Sequence, residues 1–118
     1  MRYREFVVPS DTEMLATLGV PPDSVEDDPA VRTFRLASVA GDDILISYDV
    51  PGRSFRIQIS SGEVTRLDLR RECATHLSVS GEDGALRVRV RVQSSDLAGE
   101  SEVSVGSEIV VRDKLLMI

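Results

Sequence analysis

The sequence predicts a mainly β protein: a single antiparallel meander of seven or eight strands, built as a sandwich or partly open barrel, with one short N-terminal helix. Three observations predict it. The first is Leu86-Arg87-Val88-Arg89-Val90-Arg91-Val92, which alternates apolar and charged residues without a break. Side chains on a strand point to opposite faces in turn, so this segment has one aliphatic face and one arginine face. It reads as the central strand of a sheet with one dry side and one wet side. The second is composition. The apolar residues are mostly Val, Leu and Ile, with no Trp, two Tyr and three Phe, and β-branched residues favour strands. The third is spacing: turn signals recur every ~8–12 residues from position 31 onward, as in antiparallel meanders.

Taken in order, Tyr3–Val8 is a short apolar-rich run stopped by Pro9 and reads as a first strand. Ser10 then stands three residues before Glu13, the spacing of a capping box. Met14, Leu15 and Leu18 fall on one side, and Gly19 suits a helix stop, which gives a helix over Asp11–Leu18. The stretch from Val20 to Pro29 holds three prolines and four acids and reads as a loop. Val31–Ala40 and Ile44–Val50 read as strands. The apolar triplet Ile44-Leu45-Ile46 suggests cover on both faces, with the helix as the second cover. Pro51-Gly52 is a turn. Ser54–Ser60, Val64–Arg70 and Ala74–Ser80 alternate as strands, with Ser61-Gly62 a tight hairpin signal, and Gly81–Gly84 turns the chain into Leu86–Val92. Ser94–Glu100 reads as a polar loop. Glu102–Arg112 resumes alternation with a break of phase at Gly106 that calls for a bulge or a second turn. Leu115–Ile118 is an apolar tail expected to dock within the same molecule.

With 118 residues the chain is the size of one domain, taken as residues 1–118. Its single cysteine, Cys73, forms no intrachain disulfide, which fits a reducing compartment. No apolar run follows the early arginines and none approaches the ~18 residues of a membrane helix, so a cytoplasmic location is expected. The net charge is −6 and is lopsided: residues 1–50 hold ten acids and four bases, while residues 51–118 hold ten of each. An acidic chain is poorly suited to nucleic acid, whose affinity is mostly a cation effect.

Catalytic equipment is sparse. His76 is the only histidine, so any Ser–His–Asp arrangement must use it, and no Gly-x-Ser-x-Gly elbow is present. Cys73 lies three residues away, a spacing that puts the two side chains on opposite faces of a strand. No Gly-rich phosphate loop and no EF-hand spacing occurs, so no cofactor and no metal are expected. What remains are two charged surfaces. Asp23, Glu26, Asp27, Asp28, Asp42 and Asp43 form an acidic candidate for docking a basic protein. Arg56, Arg66, Arg70, Arg87, Arg89 and Arg91 are expected to share one sheet face, a secondary candidate for an anion or acidic partner, since Arg binds carboxylate and phosphate bidentately.

The function class these features support is a non-enzymatic protein-interaction module. Its sharpest form is a small bacterial immunity or antitoxin-type protein that covers a basic partner with its acidic N-terminal half, guided by charge complementarity. The competing expectation is a small-molecule binder with a large apolar cavity inside the β-layer. Homodimerisation through an edge strand or the tail is a further possibility.

Overall fold

A computed structural model describes residues 5–25 and 27–117. The helix α1 covers Asp11–Leu18, as the sequence predicts. Its N-cap is Ser10, whose hydroxyl accepts from the Glu13 amide at 3.2 Å. The reciprocal half differs: Glu13 meets the Ser10 hydroxyl at 3.5 Å, a marginal contact, rather than the Ser10 amide. Gly19 ends the helix with φ of 78° and donates its amide to the Leu15 carbonyl, a conformation that costs glycine nothing. Met14 and Leu18 are buried. Leu15, expected on the same side, is 49% exposed, because a two-turn helix lying on one strand buries only a narrow stripe.

Nine strands follow: β1 Asp23–Val25, β2 Asp28–Ala37, β3 Asp42–Asp49, β4 Ser54–Ser61, β5 Val64–Arg71, β6 Ala74–Glu82, β7 Ala85–Gln93, β8 Leu97–Val105 and β9 Ile109–Met117. They form two antiparallel sheets, each in sequence order: β1 to β5 in one and β6 to β9 in the other. The β-rich prediction holds, and the architecture is a sandwich rather than a closed barrel. The strand count exceeds the expected seven or eight for two reasons. The acidic stretch read as a loop contains β1 and the start of β2, where Pro29 is tolerated near the strand end. The second turn required at Gly106 splits the last long segment into β8 and β9, and β8 begins at Leu97 inside the stretch read as a polar loop. In contrast, the expected Tyr3–Val8 strand shrinks to one parallel bridge. Val7 donates to the Thr75 carbonyl at 2.8 Å and accepts from Leu77 at 2.9 Å. Tyr3 and Arg4 lie outside the described residues.

The dry faces of the two sheets share one core. Phe34, Ile44, Ile46, Phe55 and Ile57 come from the five-stranded sheet, and Leu77, Val88, Val90, Val103 and Val105 from the four-stranded sheet. Phe6, Met14 and Leu18 close one side. The alternation of Leu86–Val92 is read correctly: Val88 and Val90 are buried, Arg89 and Arg91 are exposed, and β7 lies between β6 and β8. Leu45 is not covered by the helix, which packs on β6. It sits half-buried on the outer face of β3, in a shallow cleft with Val20, Pro21 and Phe34.

Three contacts tie the sheets and the helix together away from the core. Arg71 at the end of β5 bonds Asp113 of β9, and Asp113 also accepts from the buried Ser101 hydroxyl at 2.5 Å. Arg32 of β2 pairs with Asp11 at the helix start at 2.6 Å. At the far end the β2–β3 turn donates Val39 and Ala40 amides to the Gly106 and Ser107 carbonyls. The apolar tail departs from expectation. Leu115, Leu116 and Met117 continue β9 and pair through their backbone with Gly99, Ala98 and Leu97, yet Leu116 is 67% and Met117 88% exposed. The backbone docks and these side chains do not. Ile118 lies outside the described residues.

Candidate partner-binding surface

The outer face of the five-stranded sheet is built by strand alternation. Since Phe34, Ile46, Ile57 and Leu69 point to the core, Thr33, Arg35, Asp43, Leu45, Ser47, Asp49, Arg56, Gln58, Asp68 and Arg70 point away from it. The short β1 adds Asp23, opposite Thr33, along one border. Many of these residues are half-buried although they face solvent, which marks a trough rather than a flat sheet. Two open clefts of 340 Å³ each lie in it. One is lined by Val25, Val31, Ser47, Asp49, Arg56 and Arg70 among others, and the second by Leu45 with its neighbours.

Most of the acidic candidates divide between two ends of this sheet. Asp27 lies in the β1–β2 turn and Asp28 opens β2, where its carboxylate accepts from the Ala30 amide at 3.1 Å. Asp43 pairs with Ala37, the last residue of β2. Nine strand steps separate the two groups, about 30 Å at ~3.3 Å per residue. Asp27 and Asp28 therefore sit at the turn of the β1–β2 hairpin and Asp42 and Asp43 at the opposite end of the sheet, while Asp23, opposite Thr33, lies about midway between them. Asp42 there accepts from the Ser61 hydroxyl and is partly used as a structural acceptor. Glu26 lies outside the described residues.

The six arginines do not share one face. Arg56 and Arg70 belong to the outer face of the five-stranded sheet, and Arg66 sits at the β-bulge near its end. Arg87, Arg89 and Arg91 belong to the other sheet. The chain leaves the first sheet through Glu72 and Cys73, which adopts φ of 62°, and no pattern of alternation marks that change. Most of these arginines are also engaged. Arg56 makes a bidentate pair with Asp68 at 2.8 and 2.6 Å. Arg89 reaches Glu100 at 2.6 Å and Glu102 at 3.0 Å, and Arg87 lies 3.8 Å from Glu82. Arg66 meets Ser61 at 3.3 Å.

These pairs set the electrostatics. Hydrogen bonds from Arg56 hold the Asp68 carboxyl below the ordinary carboxylate range, and the charges of Arg56 and Arg70 act in the same direction against desolvation. The Arg89 guanidinium is raised chiefly by its hydrogen bond to Glu102. A carboxyl whose folded pKa is depressed stabilises the fold above its unfolded value, near ~3.9, and loses that contribution as pH falls through the lower folded value. An NMR titration is expected to place the Asp68 midpoint below that of a free aspartate. Arg56→Gln should return it upward, with little change in global stability because both side chains are exposed to solvent.

His76 is exposed on β6 with its Nδ1 3.3 Å from the Thr75 hydroxyl. Among the described residues no group of His, Cys, Asp and Glu could hold a metal ion. No helix of the described residues is long and apolar enough to cross a membrane. Sequence reasoning missed the contribution of β1 and of Val25, Val31 and Leu45 to the trough. The signal was present in Leu45, an apolar residue at an outward position.

No protein-family model matches the chain, and a search of curated proteins finds no match. A search of solved structures finds a similar fold in a chain of the contact-dependent growth inhibition toxin–immunity protein complex from Klebsiella pneumoniae 342. The TM-score is 0.77 at 13% sequence identity, and the match covers 92% of this chain and 96% of that one. The likeness therefore spans both sheets and is one of fold.

Proposed function

We propose that this chain is a non-catalytic immunity protein of the contact-dependent growth inhibition type, which acts in the cytoplasm by binding and neutralising a toxin domain. The observation that carries the reading is the near-complete likeness of fold to a chain of a toxin–immunity complex. Acidity and charge placement favour the immunity side of such a pair. The net charge of −6 resides in the first fifty residues, and a one-sided field steers a basic partner and speeds its association. The contact surface we assign is the trough of the five-stranded sheet with its acidic hairpin, Asp23, Asp27 and Asp28. The trough offers half-buried apolar floor at Leu45 and Val31 beside charges, the mixture that protein interfaces use.

Controlled expression tests the role. The chain alone should leave growth unchanged, and it should protect cells that express a toxin domain encoded beside its gene. Growth arrest by the chain alone would overturn the proposal and identify it as the toxin side of a pair. The surface is tested separately with purified proteins. Asp23→Lys, Asp27→Lys and Asp28→Lys together should slow association by about tenfold or more at low salt, with the difference shrinking as salt rises. Asp43→Lys at the other end should change it little. Equal losses from the two ends would refute the assignment to the hairpin.

A further inference from the structure

The outer face of the four-stranded sheet carries its charges in rows. β7 supplies Arg87, Arg89 and Arg91, β8 supplies Glu100 and Glu102, and β9 supplies Arg112 and Lys114. Arg112 is registered opposite Glu102 and Lys114 opposite Glu100. Both glutamates, however, turn to the other side and hold Arg89, at 3.0 and 2.6 Å. Among the described residues, Arg112 and Lys114 have no acid within 4.0 Å. The rows thus run positive, negative, positive and stop at β9.

β9 is also an open edge. It pairs with β8 alone, so the backbone amides and carbonyls on its far side have no strand partner among the described residues. The outward positions along it are Val110, Arg112, Lys114 and Leu116, two cations between two exposed aliphatic residues. On the inner side Asp113 is already held by Arg71 and Ser101, so only the outer row seeks partners.

We infer that β9 receives a strand from a partner polypeptide whose outward residues follow the pattern apolar-x-acid-x-acid-x-apolar. Such a strand would add a fourth, negative row opposite Arg112 and Lys114 and cover Val110 and Leu116. A second copy of this chain fits poorly. Two-fold antiparallel pairing centred on Asp113 sets Arg112 against Lys114 and Asp113 against its own copy. Centring on Arg112 or Lys114 opposes each cation to itself, and like charges directly opposite destabilise a sheet. The charged centre of β9 therefore disfavours self-pairing in these central registers while leaving the edge open to a strand of opposite sign. This inference is independent of the immunity role and concerns a different surface.

The test uses the full chain and two capped peptides, Val-Thr-Glu-Thr-Glu-Thr-Val and Val-Thr-Lys-Thr-Lys-Thr-Val, followed by amide NMR at low salt. The glutamate peptide should shift amides of residues 109–117, and the lysine peptide should bind about tenfold more weakly or not at all. The variant Arg112→Glu, Lys114→Glu changes only exposed side chains and should invert that preference, with retained spectral dispersion showing that it is folded. Three results would overturn the inference: no binding of the glutamate peptide, a preference unchanged in the folded double variant, or sedimentation showing a dimer of the wild-type chain joined at β9.

Discussion

Replacing Ile46 with alanine is expected to lower the free energy of unfolding by about 2–5 kcal/mol, the range for removing a buried aliphatic side chain with partial collapse of its cavity. Ile46 has no exposed surface and lies mid-strand in β3, registered between Phe34 of β2 and Ile57 of β4. Its side chain is thus walled in on both sides within the sheet and faces the opposite sheet across the core. In urea unfolding the midpoint should fall while the slope stays unchanged, since the surface exposed on unfolding barely differs. Leu45→Ala is the paired control. The two residues are adjacent, yet Leu45 is only half-buried in the outer trough, so its loss should cost about 1 kcal/mol or less. If Leu45 contributes to partner binding, affinity will fall with Leu45→Ala while stability barely moves. A loss below about 1 kcal/mol for Ile46→Ala would contradict the packing of the two sheets over this position.

The second large effect is expected at Gly99. A Cβ built there would lie 2.5 Å from the Lys114 carbonyl oxygen, 2.6 Å from a Leu115 methyl and 3.2 Å from a Val92 methyl. The first of these is backbone of the neighbouring strand and cannot rotate away. Gly99→Val should therefore cost about 1–3 kcal/mol as an overpacking substitution. The damage should be concentrated in the pairing of β8 with β9. Hydrogen exchange should accelerate for amides of residues 109–117 more than for those of β3 and β4. Uniform acceleration would show that β9 is not a separable edge. The same glycine explains the position of the apolar tail: without a side chain on β8 at this point, Leu115 can lie across it.

These two sites mark what sequence patterns can and cannot report. The core neighbours of Ile46 were legible because burial on one face of a strand imposes a period of two, as in Phe55, Ile57 and Ile59 or Val88, Val90 and Val92, whereas around Ile46 itself the outward Leu45 masks that period and suggested cover on both faces. The helix was legible to the residue, because Ser10 and Gly19 act through local backbone geometry. The role of Gly99 was not legible, since it depends on a residue sixteen positions away that register brings opposite. The split of the arginines between sheets was hidden for a related reason. Alternation reports which face a residue takes, and nothing in it reports that the chain changes sheets at Cys73. The Pro51-Gly52 turn shows a subtler case. The left-handed conformation falls on Arg53, while Gly52 is small because the Asp49 carboxylate, which accepts its amide at 2.8 Å, occupies the space a Cβ would need. Of the candidate site, the acidic residues could be named from sequence, but their division between two ends of the sheet could not. It follows from the ten-residue length of β2 and its antiparallel return.

The sequential order of the strands has a consequence for synthesis on the ribosome. All five strands of the first sheet are contained in residues 23–71, and the second sheet begins only at residue 74. At ~5–20 residues per second, residues 72–117 take about 2–9 s to follow. Hairpins close in microseconds, so the first sheet has ample time to zip up before its cover exists. Until the second sheet is available, Ile44, Ile46 and Ile57 lack their cover. A nascent chain in that state is a half-sandwich whose exposed apolar face is prone to associate with other chains.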